Sequence, residues 1–219
     1  MDNSKFLIYD GSFNGFLTAI FIAFEDNCDV LGFKQDTAIQ KGLFADTEII
    51  PTQKSKAKLV WESIEKKSNN AIRNIYFAFL SETNGIEYLL YQYIKKLYGL
   101  LNSTELEQVH IIENKISKMA TSVSREKSQI ENLVDFQSTD DDVYITEIEP
   151  GYNILPLISR HFRYRYPKHQ WIIFDRKRNY GMYYNGNSIE IISNETKNMY
   201  LNVTLGYNPY ANNTLRLAI

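Results

Sequence analysis

Between Arg160 and Arg178 the chain places seven Lys or Arg residues, two His and a single acid, Asp175. Such clustering suits phosphate, because the charge attracts a polyanion and arginine adds a two-pronged hydrogen-bonding geometry. Helical spacing sets Arg160, Arg163 and Tyr164 on one side of a helix, with Ile158, His161, Phe162 and Arg165 across its inner and flanking faces. Arg176, Lys177 and Arg178 fall in the turn between two strands. If the helix ends near that turn, both basic groups line one surface. Trp171, Tyr180, Tyr183 and Tyr184 would then offer rings on which unpaired bases stack. Arg160, Arg163, Tyr164, Arg176, Lys177 and Arg178 are therefore the candidate nucleic-acid contacts. The same residues also fit another anionic or protein partner, or an ordinary solvated surface, and composition alone leaves all three open.

No catalytic constellation accompanies them. Asp10, Glu126 and Asp175 are acids or bases in principle, yet nothing pairs them in the sequence. His110, His161 and His169 are too few and too irregularly spaced for a metal site, and Cys28 adds no paired ligand motif. There is no phosphate loop, dinucleotide-binding glycine pattern or nucleophile elbow. The expectation is no catalytic residue, no metal and no cofactor. Ser12 reads as a helix cap, not a nucleophile.

These residues must be positioned by elements that the patterning outlines. Lys5 to Tyr9 reads as a strand closed by the Asp10-Gly11 turn. Ser12 caps a helix in which Phe13, Phe16, Leu17, Ile20, Phe21 and Phe24 recur every three or four residues. Gly15 sits inside that stripe, either at a close contact or as a tolerated glycine. From Asp26 to Pro51 the pattern weakens into short elements. Helices follow from Thr52, over 71–80 and over 86–98, with Ser68-Asn-Asn70 as a break. Thr104 and Glu107 read as a capping box for a helix longer than 25 residues, ending at Asn132.

Beyond Asn132 the period changes to two. Strands are expected over 133–137 and 143–149, joined through Thr139 to Asp142. A helix over 154–166 follows, with Pro156 in its first turn, then strands over 170–174, 180–184 and 188–192. Asn185-Gly186 is a type I′ hairpin signal. The chain thus reads as α+β. A helical N-terminal region over about residues 12–131 precedes a mostly antiparallel sheet over 132–195, ordered strand, strand, helix, strand, strand, strand, with a helix packed on one face. Residues 1–195 read as one domain, and the Asn-rich 196–219 as a mobile tail.

The composition is that of an ordinary globular chain, with 44% hydrophobic and 23% charged residues, which excludes the disordered class. Sixteen Tyr and twelve Phe are more than a site needs, so most belong to core or sheet faces. A net charge of -2 argues against a protein that coats nucleic acid everywhere, while permitting a local basic face. The single Cys28 forms no internal disulfide. No stretch reaches the roughly 20 apolar residues of a membrane span, and no export signal is visible, so a cytoplasmic location is expected. Asn202-Val-Thr204 fits a glycosylation acceptor pattern that has no meaning without export.

Several segments together resemble a family of unknown molecular function labelled as DNA metabolism proteins. They are Tyr9-Asp10-Gly11-Ser12-Phe13-Asn14-Gly15, Ala78-Phe79-Leu80-Ser81-Glu82, Arg125-Glu126, and Ile148-Glu149-Pro150. Further on come Arg160-His161-Phe162, Gln170-Trp171-Ile172-Ile173-Phe174-Asp175 and Tyr180-Gly181-Met182-Tyr183-Tyr184-Asn185-Gly186. Members look like the N-terminal partner of uracil-DNA-glycosylase-like domains, or occur beside a radical-SAM DNA-repair protein. The resemblance implies a role for the matched residues Tyr9, Asp10, Gly11, Arg125, Glu126, His161, Phe162, Trp171, Asp175, Tyr183, Tyr184 and Gly186. This chain departs from the pattern after Arg125-Glu126. Ser128 stands where relatives carry a histidine, and Glu131 and Asp135 stand where basic residues are expected, which would repel a phosphate backbone.

The reading that follows is a DNA metabolism or repair accessory protein that binds nucleic acid and presents it to a radical-SAM or glycosylase-like partner. The alternatives are a protein-interaction module without DNA contact, and a DNA-acting enzyme using Glu126 or Asp10.

Overall fold

The computed structural model describes residues 4–36, 46–138 and 143–198. The chain divides into two compact units, Met1–Ser122 and Val123–Ile219. Among the described residues, no helix is long and apolar enough to cross a membrane.

The first unit is built on strand β1 (Ser4–Tyr9), flanked by β2 (Asp29–Gln35) and β3 (Thr47–Ile49). The sheet order is β2-β1-β3, and both pairings are parallel. A parallel pair needs a crossover, and helix α1 (Phe13–Glu25) supplies it between β1 and β2. Helices α2 (Lys54–Lys67), α3 (Asn69–Phe79) and α4 (Ile86–Leu97) complete the layer with the first part of α5 (Ser103–Leu133). Their apolar stripes meet in one core that includes Leu7, Phe16, Ile20, Ile64, Ile75, Leu90, Ile94 and Ile116. Phe13 and Phe16 both pack on Phe79, and Phe16 also meets Phe33 on β2. Cys28 is buried there, and its burial raises the thiol's pKa, as befits a small core residue.

The second unit carries a five-stranded sheet, β4-β5-β6-β7-β8. Its strands are β4 (Gln137–Ser138), β5 (Val143–Ile148), β6 (Gln170–Asp175), β7 (Tyr180–Tyr184) and β8 (Ile189–Ser193). Helix α6 (Leu155–Arg165) crosses from β5 to β6, which pair in parallel, and every other pairing is antiparallel. Period-two alternation sends Trp171 and Ile173 to one sheet face and Ile172 and Phe174 to the other, and all four are buried. Phe162 of α6 packs on Trp171, which also meets Tyr184.

The expected architecture is thus corrected. The N-terminal region is not helical alone but holds a separate parallel sheet, so the fold is mixed α+β with helices interspersed among two sheets. The weakly patterned stretch from Asp26 to Pro51 contains β2 and β3. Four local details also differ. The capping box of α5 is Asn102 with Glu105, each side chain accepting from the other's backbone N–H at 2.9 Å. Ser68 caps α3 by accepting from Ala71 N instead of merely breaking the chain. Strand β4 is two residues long. At Asn185-Gly186 only Gly186 has positive φ, so the turn is not type I′. Instead the Asn185 carboxamide oxygen accepts from Asn187 N and Ser188 N. The turn expected at 139–142 and most of the expected tail, 199–219, lie outside the described residues.

Gly15 marks a close approach. Ser12 caps α1 through Gly15 N, and Asp10 accepts from both Ser12 and Thr52 beside it. A Cβ on Gly15 would collide with Asp10 Oδ1 and lie 2.9 Å from Thr52 Oγ1. Gly15→Ala should therefore lower stability by about 1–3 kcal/mol, although alanine is the better helix former by about 1 kcal/mol. Urea denaturation measures the difference, and equal or greater stability would contradict the close approach.

Candidate nucleic-acid interface

The β5-α6-β6 crossover fixes where the candidate residues go. Helix α6 runs antiparallel to the two strands that it joins, so its last turn lies at their amino ends. The turn with Arg176, Lys177 and Arg178 lies at their carboxyl ends. The six residues of β6 separate the two by roughly 20 Å at about 3.3 Å per residue. The two basic groups therefore do not converge as the sequence suggested.

At the carboxyl ends the charges are engaged with the chain itself. Arg178 Nη1 donates to Asp175 Oδ2 at 2.8 Å and to Pro150 O at 3.1 Å, while Nη2 donates to Gly151 O at 3.0 Å. Lys177 Nζ donates to Gly151 O at 2.7 Å. Glu126, buried on α5, accepts from Gly151 N at 2.7 Å on one oxygen and from Tyr152 N at 2.8 Å on the other. Arg176 Nε stands 3.7 Å from Glu147. Asp175 is fully buried and also accepts from Arg178 N. Three charged side chains, Glu126, Lys177 and Arg178, thus hold the peptide groups of the β5–α6 turn, Asp175 holds Arg178, and both acids are engaged as hydrogen-bond acceptors.

The outer surface of α6 is different. Arg160, Arg163 and Tyr164 are all exposed, and Tyr164 is 90% exposed. The three line one open concavity of about 1070 Å³ together with Lys127, Glu131, Leu157, His161, Pro167 and Ile189. Glu131, expected to repel a phosphate backbone, is instead 12% exposed and clasped by Lys127 Nζ at 2.6 Å. His161 Nδ1 lies 3.8 Å from the same carboxylate. Ser128 faces solvent and donates to Ser124 O, and Asp135 is exposed.

The rings proposed for stacking sort sharply. Trp171 is fully buried, and Tyr183 and Tyr184 are nearly so. Tyr183 donates to Gln170 and Tyr184 to Gly186 O, while half-buried Tyr180 donates to Asn153. Phe162 is core, and Gly186 occupies the turn. His161 Nε2 and Trp171 Nε1 are buried nitrogens without a hydrogen-bond partner among the described residues. Arg125 is exposed.

In the first unit, Tyr9, Asp10 and Gly11 end β1. Tyr9 is buried and donates to Glu87 Oε1 at 2.9 Å; burial and that carboxylate raise its pKa. Gly11 has φ +79°. Burial alone would raise the Asp10 carboxyl, but hydrogen bonds from Ser12 and Thr52 outweigh it and hold its pKa below the ordinary value. Among the described residues, no three His, Cys, Asp or Glu side chains are grouped to hold a metal.

Strands β4 to β8 all fall within one family match. The profile of a domain of unknown function, DUF4130, matches residues 84–215, a span from just before α4 to beyond β8. The chain belongs to that family. No curated protein matches it.

Two outcomes follow from this geometry. Glu126→Gln should cost about 1–3 kcal/mol, because a carboxamide accepts only one of the two amides and turns an N–H toward the other; equal urea midpoints would contradict the acceptor role. Asp10, with its lowered folded pKa, adds stability that is complete above about pH 4, the ordinary Asp value, and is lost as pH falls through the folded value. The acid limb of the stability profile should therefore be shallower in Asp10→Asn, and superimposable limbs would contradict it.

Proposed function

We propose that the second unit binds nucleic acid along α6, and that the protein serves as a DNA metabolism or repair accessory presenting that strand to a separate enzyme. The observation that carries the reading is the joint exposure of Arg160, Arg163 and Tyr164 on one concave surface. Among the described residues, neither arginine has an ion-pair partner. Free guanidinium groups beside an exposed ring suit phosphate and base together.

The resemblance to DNA metabolism proteins supports the same reading, and it points to a radical-SAM or uracil-DNA-glycosylase-like protein as the partner. Asp10, Glu126 and Asp175 are occupied by turn donors, which favours an accessory role over an enzymatic one. Lys177 and Arg178 are assigned to the scaffold, so the proposed interface narrows to α6.

Binding should be salt-sensitive and should weaken in Arg160→Gln/Arg163→Gln. The log–log salt slope should become shallower by about 0.7 for each single-strand phosphate that is no longer neutralised. The thermal midpoint should not change in that variant, because both side chains are exposed. Arg178→Gln should do the opposite, losing stability through the turn. Fluorescence anisotropy across a salt series tests the first pair. Parent-like binding by the double variant would sink the assignment of binding to α6, and no binding by the parent would favour a module that engages only protein.

A further inference from the structure

Among the described residues of the second unit, every Phe, Tyr and Trp other than Tyr164 is buried or half-buried. Trp171, Phe162 and Phe174 are each at most 2% exposed. Tyr164 departs from that economy at 90% exposure, with no ring contact among the described residues. It lies one turn after Arg160 and directly after Arg163, so Arg160 and Tyr164 occupy neighbouring positions on the helix surface, with Cβ atoms about 5–6 Å apart. Beside them, Leu157, Pro167 and Ile189 give the concavity an apolar lining. The neighbouring Lys127 charge is neutralised by Glu131, leaving the two arginines to set the sign of the surface.

This combination discriminates between forms of nucleic acid. A duplex presents phosphates outward and keeps its bases stacked and paired; it would engage the arginines and leave both ring and apolar lining without a partner, unless a base step were unstacked at a cost. An unpaired strand meets all three features: phosphates for Arg160 and Arg163, a base face for Tyr164, and apolar contact for the base or sugar edge. The space is open on the surface and not an enclosed cavity, as suits a strand laid along it.

We infer that the α6 surface takes a single-stranded nucleic acid segment, with one base stacked on Tyr164 and the flanking phosphates on Arg160 and Arg163. The inference rests on the nucleic-acid reading above and specifies its substrate. It makes Tyr164 the residue that distinguishes unpaired from paired strands, and the arginines the residues that serve both.

The test is fluorescence anisotropy with labelled oligothymidylate, oligouridylate and a DNA duplex of the same length, using the full chain. The parent should bind oligothymidylate about 10-fold or more tighter than duplex. Tyr164→Ala should lose about 10-fold on the single strand, within the range of one stacked base, and bind the duplex as before. Tyr164→Phe, which keeps the ring, should bind like the parent. A single-strand affinity unchanged in Tyr164→Ala, or a parent that prefers duplex, overturns the inference while leaving the proposed function standing. Parent-like binding by Arg160→Gln/Arg163→Gln, or no binding to any probe, overturns both. Comparable binding of the two single strands supports the inference with no preference for sugar, and a gap of about 10-fold assigns it to the tighter one.

Discussion

When the chain leaves β5 it must reverse into α6 within a few residues, and the peptide groups of that turn cannot all pair with one another. The solution is electrostatic. The Glu126 carboxylate takes the N–H groups of Gly151 and Tyr152, while Arg178 and Lys177 take the carbonyls of Pro150 and Gly151. Asp175 in turn aims Arg178. A buried charge left without its partner is strongly destabilising, so such a set holds together or fails together. The start of α6, and with it the direction in which Arg160 and Tyr164 project, depends on this turn.

The first unit uses a related device on a smaller scale. Its central strand β1 also feeds a parallel crossover, and the acid at its carboxyl end, Asp10, is held by hydroxyl donors from Ser12 and Thr52. Glycine at position 15 leaves room for that carboxylate. In both units an acid at a strand end stabilises a turn, which accounts for conspicuous carboxylates in a protein whose sequence offers no nucleophile or metal partner for them.

Elements governed by short-range rules were legible in the sequence. The apolar stripe and Ser12 cap of α1, the length of α5 and the Pro156 start of α6 all follow from residues within a few positions of each other. Strands β2 and β3 were not legible, because a parallel strand takes its partner from beyond a crossover and their sequences lack clean alternation. The candidate interface was half legible. Residue type located the basic segment, yet nothing local distinguishes an arginine bound to carbonyls from one facing water. The separation of the two basic groups was available from topology, since a strand–helix–strand unit sends helix end and strand end to opposite sides. Glu131 was misread for another reason: its pairing with Lys127, four residues earlier on α5, was open to the helix rule, but its burial required the fold.

A last feature lies just past β8. Lys197 is 8% exposed, with its ammonium 4.2 Å from the centre of the Phe174 ring and 2.7 Å from Glu147. A shortened chain stopping at residue 195, where strand patterning runs out, would keep β4 to β8 and lose this cation. Among the described residues, Glu147 would retain only the looser contact with Arg176, and one face of Phe174 would lose its cover. For anyone choosing where to end an expressed fragment, the last strand is thus a poor guide, and the fragment has to include helical residues 194–198, which carry the lysine.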